Sequence, residues 1–378
     1  MDSRRQKTGL GISLYLKDFL EDPEAAELYL DSAAKFGFSE VFTSIHLPED
    51  DFLKTSAAVR EFAELVAKRG MHLAVDCSSH ELKKIQDNAS LKNELRRSEI
   101  AYLRLDFGFQ TTDVRTISEE LGIHGFMLNP SIMRRAEVVE MVSALQRFSK
   151  ALAIKACHNF YPRPETGLGL AFFINQSAIF QELGIPVAAC VPSRNKPRGP
   201  LHAGLPTLES HRHAAMHWAA RELMATGVVD EILIGDPFAS ATELADLQEA
   251  ASSPTLVIRV IEEEGLSETE RRILYGTIHI ARPDLSEWVL RSRTSREMAG
   301  MGEKLTAREA KVREANAITI DNEKYGRYSG ELQIVRQELP ADARVNVVGR
   351  ISPEDSCLLR YIADGVEFRF VQDDGTQN

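Results

Sequence analysis

Eight short β-type runs alternate with helical stretches along the first two thirds of the chain, and few folds accommodate that rhythm. The runs are Leu10–Leu14, Val41–Ser44, His72–Asp76, Tyr102–Asp106, Phe126–Asn129, Ala153–Cys157, Pro186–Val191 and Glu231–Gly235. They recur about every 23 to 45 residues, a spacing that calls for parallel strands joined by crossover helices. Intervening stretches such as Pro23–Phe36 and Ser56–Lys68 are amphipathic and are followed by Gly37 and Gly70, where a helix wants a left-handed cap. Eight units in about 245 residues suggest a (β/α)8 barrel of the TIM type. A doubly wound open sheet is the competing arrangement, but no G-x-G-x-x-G turn follows the first strand.

Past about Ala250 the pattern changes. Thr255–Ile261, Glu331–Arg336, Val345–Gly349 and Gly365–Val371 read as strands without regular helices between most of them, and Ser252, Ser253 and Pro254 mark a boundary. The α/β chain therefore divides into a barrel at residues 1–250 and a smaller, β-rich barrel or sandwich at residues 251–378. The highly charged stretch Arg291–Asn316 reads as a long loop or a solvated helix.

Charge and cysteine usage narrow the function. With 45 basic against 56 acidic residues the net charge is -11, which repels phosphate backbones and anionic lipid, so nucleic acid and membrane are excluded as partners. Cys77, Cys157, Cys190 and Cys357 form no C-x-x-C pair, which fits a reducing cytoplasm and argues against a zinc ribbon or redox motif. No apolar run is long enough to span a membrane. The basic start and short apolar run of Met1–Leu16 are closed by Lys17 and Asp18 with no small-residue cleavage site, and read as a barrel strand.

In such a barrel the chemistry gathers at the carboxyl ends of the strands. Those ends carry Ser13, Ser44 with His46, Asp76, Asp106, Asn129, His158 with Asn159, Ser193 with Arg194, and Asp236. Period-two parity puts Asp76 on the face of Ala74 and Asp106 on the face of Tyr102 and Arg104, so both carboxylates point into the barrel from neighbouring strands. At matching heights they would stand near the roughly 5 to 5.5 Å of a retaining glycosidase pair, and their mutual repulsion would keep one protonated for the leaving oxygen. The alternative is that Arg104 pairs with one of them as core electrostatics.

Two polar loops follow strands six and seven. His158-Asn159-Phe160-Tyr161-Pro162-Arg163 is stiffened by proline and is a binding loop by composition, with His158, Asn159 and Arg163 presenting an imidazole, an amide and a guanidinium. Arg194, Lys196 and Arg198 crowd into one short loop of an acidic protein and invite an anion, with Arg198 beside Gly199 offering a bidentate grip on phosphate. Glu209 opens a helical stretch where it serves either as an acid/base or as a cap. His213 and His217 have helical metal spacing but lack the rest of a zinc motif, and no metal or cofactor is called for. Lys155 keeps a Schiff-base aldolase or lyase open as a rival, and a non-catalytic sugar-phosphate-binding protein is a second.

The phrases Gly11-Ile12-Ser13-Leu14-Tyr15, Leu103-Arg104-Leu105-Asp106-Phe107-Gly108, His158-Asn159-Phe160-Tyr161-Pro162-Arg163-Pro164, Arg198-Gly199-Pro200-Leu201 and Ile234-Gly235-Asp236-Pro237 resemble one family. So does Asp321-Asn322-Glu323-Lys324-Tyr325-Gly326-Arg327-Tyr328-Ser329-Gly330-Glu331 near the end. It is the family of bacterial 6-phospho-N-acetylmuramidases (MupG), long described as outer surface proteins or proteins of unknown function. The resemblance covers nearly the whole chain apart from Met1–Lys7. It implies a TIM-type barrel followed by a cyclophilin-like domain. It also implies cytoplasmic hydrolysis of the β-1,4 bond of a phosphorylated amino-sugar disaccharide, N-acetylmuramic acid 6-phosphate-N-acetylglucosamine, in peptidoglycan recycling. The catalytic roles of Asp76 and Asp106 rest on strand-end geometry alone, and the second domain either shapes the cleft or supports a homodimer.

Overall fold

The structure, a computed structural model, describes residues 8–45, 52–106, 109–252, 255–300 and 304–373. Two compact units divide the chain, Met1–Ser252 and Ser253–Asn378.

In the first unit β1 (Gly9–Ser13), β2 (Glu40–Ser44), β3 (His72–Cys77), β4 (Ile100–Leu105), β5 (Gly125–Leu128), β6 (Ala153–Cys157), β7 (Val187–Val191) and β8 (Glu231–Ile234) pair in sequence order, all parallel. Pairing of Gly9 through Ile12 with Glu231 through Ile234 closes the ring into a (β/α)8 barrel. Outward residues such as Ile12, Val41, Leu73, Leu103, Phe126 and Ile234 join the main hydrophobic core with helix residues Phe62, Phe173 and Phe180. That core excludes water between sheet and helices, and its burial is the main stabilising term of the unit. The Pro23–Lys35 helix starts on a capping Asp22, whose side chain accepts from Ala25 N at 3.0 Å, and Gly37 beyond its end takes φ +81°.

Inward residues stack in layers contributed by alternate strands. The lowest holds Glu40, Tyr102, Lys155 and Glu231 from β2, β4, β6 and β8. Lys155 Nζ binds Glu40 and Glu231, the latter at 2.6 Å, and lies 4.5 Å over the Tyr102 ring. Above it an apolar plug of Phe42, Ala74, Met127, Cys157, Ala188, Cys190 and Leu233 fills the barrel. A second set of polar residues begins above the plug.

The second unit is a seven-stranded sheet in the order β10-β15-β9-β14-β12-β13-β11, built from β9 (Leu256–Glu262), β10 (His279–Ile280), β11 (Val289–Arg291), β12 (Ala317–Asp321), β13 (Leu332–Val335), β14 (Val345–Ile351) and β15 (Glu367–Gln372). All pairings are antiparallel except β15 with β9. Ile258, Val260, Ile318, Ile320, Ile334, Val348, Phe368 and Phe370 form its buried side, where His279 sits between Phe368 and Phe370. Three strands escape the sequence reading, namely β10, β11 and β12. The first two are edge strands of two and three residues, too short to show alternation. The charged stretch Arg291–Asn316 is neither a single loop nor a long helix: Arg291 ends β11, a helix covers Ser295–Ala299, and Arg313 bridges to Leu339.

Candidate active site

Arg104 organises the barrel mouth. Its Nη1 donates to Asp76 Oδ1 at 2.9 Å and to Asp106 Oδ1 at 3.1 Å. Its Nη2 donates to Asn159 Oδ1 at 2.5 Å, and Cys157 O accepts from Nε and Nη2. Burial works against the charge of this guanidinium, but the Asp76 carboxylate, with Asp106, outweighs it and raises its pKa further. The repulsion expected between the two aspartates is thus answered by a cation that both share. The heights also differ from the expectation. The register pairs Asp76 with Arg104, so Asp106, two residues on, stands one layer higher. A register shift between Leu73 and Ala74, opposite Ile100 and Tyr102, accompanies this offset. Asp76 is the deeper group, its side chain 8% exposed against 19% for Asp106.

Two amides complete the network. Asn129 Nδ2 donates to Asp106 Oδ1 and to Asn159 Oδ1, both at 3.0 Å. Ser44, whose register partner is Asp76, is buried at the end of β2. His46 lies outside the described residues.

His158 does not enter this mouth. Cys157 lies in the inner plug and Ala156 in the outer core, so His158 alternates outward toward the helices. Its Nδ1 pairs with Ser131 Oγ at 3.1 Å and its Nε2 with Ser177 Oγ at 3.0 Å, with the Phe173 ring 4.7 Å away. Burial, reinforced by Arg104, pushes its pKa down to about 3, so the ring is neutral. A ring with both nitrogens occupied and 1% exposure is not available to a sugar hydroxyl, which corrects the direct binding role expected of it.

The rim carboxylates hold loops. Asp236 is fully buried, and its carboxylate accepts from the backbone N of Ser193 and Leu205 at 3.0 Å and of Arg198 at 2.9 Å. Burial raises its pKa while those three donors oppose the rise. Glu209 accepts from Glu165 N and Gly167 N and takes Arg212 bidentately at 2.6 and 2.7 Å. The Arg212 hydrogen bonds, against burial and aided by the two backbone donors, lower its pKa to about 2, which rules out service as a proton donor. A Cβ on Gly167 would lie 2.6 Å from the Glu209 carboxylate, so only glycine fits there. Arg212 also donates to the carbonyls of Tyr161, Arg163 and Gly204, tying both rim loops together.

Of the basic loop residues, Arg198 alone turns onto the aromatic floor of the rim. Its guanidinium lies 4.5 Å over the Tyr15 ring and 5.2 Å over Phe160, and its buried Nε and Nη1 have no acceptor among the described residues. Arg194 is exposed and bonds the His213 carbonyl, and the Arg163 side chain is exposed on the other loop. Neither joins the Arg104 network among the described contacts. Lys155 is held on the barrel floor: burial would lower its pKa, but Glu40 and Glu231 raise it instead, the opposite of what a Schiff-base amine needs.

Sequence models of two parts of one family match this chain. Residues 10–249 match the N-terminal part of 6-phospho-N-acetylmuramidase and residues 256–371 its C-terminal part. A search of curated proteins finds no match. Among solved structures the chain is similar to an uncharacterized B. cereus protein, with 30% identity, 97% of this chain and 100% of that chain covered, and a TM-score of 0.82. It is also similar to a conserved Enterococcus faecalis protein of unknown function, with 32% identity, 97% of each chain covered, and a TM-score of 0.67.

Proposed function

The chain belongs to the 6-phospho-N-acetylmuramidase family of glycoside hydrolases, and from that premise we propose that it hydrolyses the β-1,4 bond of N-acetylmuramic acid 6-phosphate-N-acetylglucosamine. One observation carries the reading. The shared Asp76–Arg104–Asp106 cluster meets Asn159, whose chain neighbour Phe160 lies beneath the Arg198 guanidinium, two of whose nitrogens are buried without an acceptor among the described residues. A pair of carboxylates suits cleavage of an acetal. Two buried Arg198 nitrogens without an acceptor among the described residues suit a phosphate dianion, because donors left without acceptors away from water are costly until a ligand fills them.

In this mechanism Asp76 and Asp106 are the acid/base and nucleophile pair, their order unassigned. One gives its proton to the bridging oxygen, which leaves as the hydroxyl of N-acetylglucosamine. The other attacks C1 of the muramyl sugar, and water then cleaves the resulting ester and returns the proton. Arg104 holds both carboxylates in place, and closure of the mouth by the sugar desolvates them, the force that favours taking up a proton. Arg198 grips the 6-phosphate, and Asn129 and Asn159 face the sugar ring. Four cysteines without a disulfide support a reducing compartment, and with it a cytoplasmic recycling reaction. The second unit is, on this reading, the cyclophilin-like domain. Incubation of the purified protein with the phosphorylated disaccharide and with its unphosphorylated form tests the assignment. We expect two monosaccharide masses from the first and little turnover of the second; an intact phosphorylated disaccharide would refute it.

A further inference from the structure

Asn159 carries more information than its place in the network requires. Its Oδ1 receives two N–H donors, Arg104 Nη2 at 2.5 Å and Asn129 Nδ2 at 3.0 Å. Neither a guanidinium nor an amide nitrogen can face another donor, so the neighbours dictate which end of the carboxamide is oxygen. The backbone is fixed as well: Asn159 N donates to Ser131 Oγ and Asn159 O accepts from Thr207 Oγ1, both at 2.9 Å. The residue is therefore held at four points, two of them on its Oδ1, and its Nδ2 has no acceptor among the described residues. The residue is half-buried and shares the inward face of β6 with Lys155 and Cys157, so this nitrogen is offered at the mouth.

The donor is also a strong one. A cation bonded to the oxygen of an amide draws electron density from its nitrogen and makes the N–H more acidic. Around it the partners are unequal. Asp76 and Asp106 are taken up by the bond-breaking chemistry proposed above, while Arg198 is the charged donor matched to an anion. A single neutral donor beside the half-buried ring of Phe160 matches a neutral acceptor carrying a small apolar group.

We propose that Asn159 Nδ2 donates to the carbonyl oxygen of the acetamido group on C2 of the sugar whose bond is cleaved, making Asn159 the residue that selects an N-acylated amino sugar. The inference rests on the hydrolase reading given above. The C2 substituent adjoins the reacting carbon, and hydrogen bonds made there tighten as the oxocarbenium-like state forms, so the contact acts on kcat as well as on affinity.

Substrate and enzyme are varied together to test it. The substrates are 4-nitrophenyl β-glycosides of muramic acid 6-phosphate bearing acetamido, hydroxyl or hydrogen at C2. The enzymes are wild type, Asn159→Ala and Asn159→Asp, the last keeping an oxygen for Arg104 and Asn129 while removing the donor. We expect each variant to lose about 30- to 100-fold in kcat/KM on the acetamido substrate, and at least tenfold less on the 2-deoxy one. Equal losses on both substrates would overturn the assignment and leave Asn159 a positioning residue for Arg104. If wild type cleaves none of the three, the hydrolase reading fails separately. Titration with free N-acetylmuramic acid 6-phosphate and its 2-deoxy form then decides the contact by the same ratio, a variant loss confined to the N-acetyl sugar supporting it and an equal loss overturning it.

Discussion

Replacing Arg198 by alanine isolates the phosphate grip from the chemistry. The guanidinium carries two buried donors, Nε and Nη1, with no acceptor among the described residues, and it rests over Tyr15 and Phe160. Each hydrogen bond between such a donor and a phosphate oxygen contributes about 1.5 to 3 kcal/mol. Two of them would give about 3 to 6 kcal/mol, and because the residue is half-exposed we discount this to about 2 to 4 kcal/mol. At about 1.4 kcal/mol per tenfold, kcat/KM on the phosphorylated disaccharide should fall about 30- to 700-fold. Arg198→Lys keeps the charge without the fork and should fall between the two. The assay is product formation with phosphorylated and unphosphorylated disaccharide, each run on wild type and both variants. An equal fall on the unphosphorylated sugar would show that Arg198 supports the loop rather than the phosphate, and the reasoning from unpartnered donors would be wrong.

Three further outcomes follow from the same geometry. Asp106→Asn should lower kcat by about a thousandfold or more with KM within a few fold, since its charge counts mainly in the transition state; near-normal turnover removes Asp106 from the mechanism. Sharing Nη1 at 2.9 and 3.1 Å keeps the two Oδ1 atoms within about 6 Å, short of the roughly 6.5 to 9.5 Å that admits a water between inverting carboxylates. Proton NMR of the first muramyl product should therefore show the β anomer, and an initial α anomer would contradict a covalent step. His158 is depressed to about 3 in the folded state against about 6.5 unfolded, so the stability it contributes is complete above about pH 6.5 and is lost as pH falls toward 3. The unfolding temperature of wild type should thus drop more between pH 7 and 4 than that of His158→Gln, and parallel curves would assign the acid lability to other groups.

The barrel was legible because its strands repeat one grammar, outward Leu, Val and Ile against inward small or polar residues, and period-two counting depends on nothing outside the strand. What lay beyond sequence was everything set by closure. Parity separates Lys155 from His158, yet only the ring itself decides that Lys155, Cys157 and Asn159 are inside and His158 outside. The layer offset of Asp106 depends on the shifted register opposite Ala74, which no local pattern announces. Glu209 and Asp236 read as site candidates because they are acidic and follow strand ends. Their partners are backbone N–H groups up to 44 residues away in sequence, and such contacts leave no composition signal. Arg104 showed the reverse: set down as a structural alternative to the catalytic reading, it touches both carboxylates at once and belongs to both accounts.

The barrel holds two ionic clusters of two acids and one base, and the proposed function uses only one of them. On the floor Lys155 binds Glu40 and Glu231; at the mouth Arg104 binds Asp76 and Asp106. Each is two acids around one base, and the apolar plug between them keeps both away from bulk water on its side. On the floor, burial and the Glu231 charge raise the pKa of Glu40 despite the opposing pull of Lys155. At the mouth the surplus acid is answered from outside: Asp106 keeps part of its surface open, and Arg104 spends its second nitrogen on Asn159 rather than on a third acid. On the proposed mechanism the carboxylate left charged at the mouth stabilises a developing oxocarbenium cation, whereas the cluster beneath the plug is a cost to the fold. Charge composition could not tell these clusters apart; height in the barrel does.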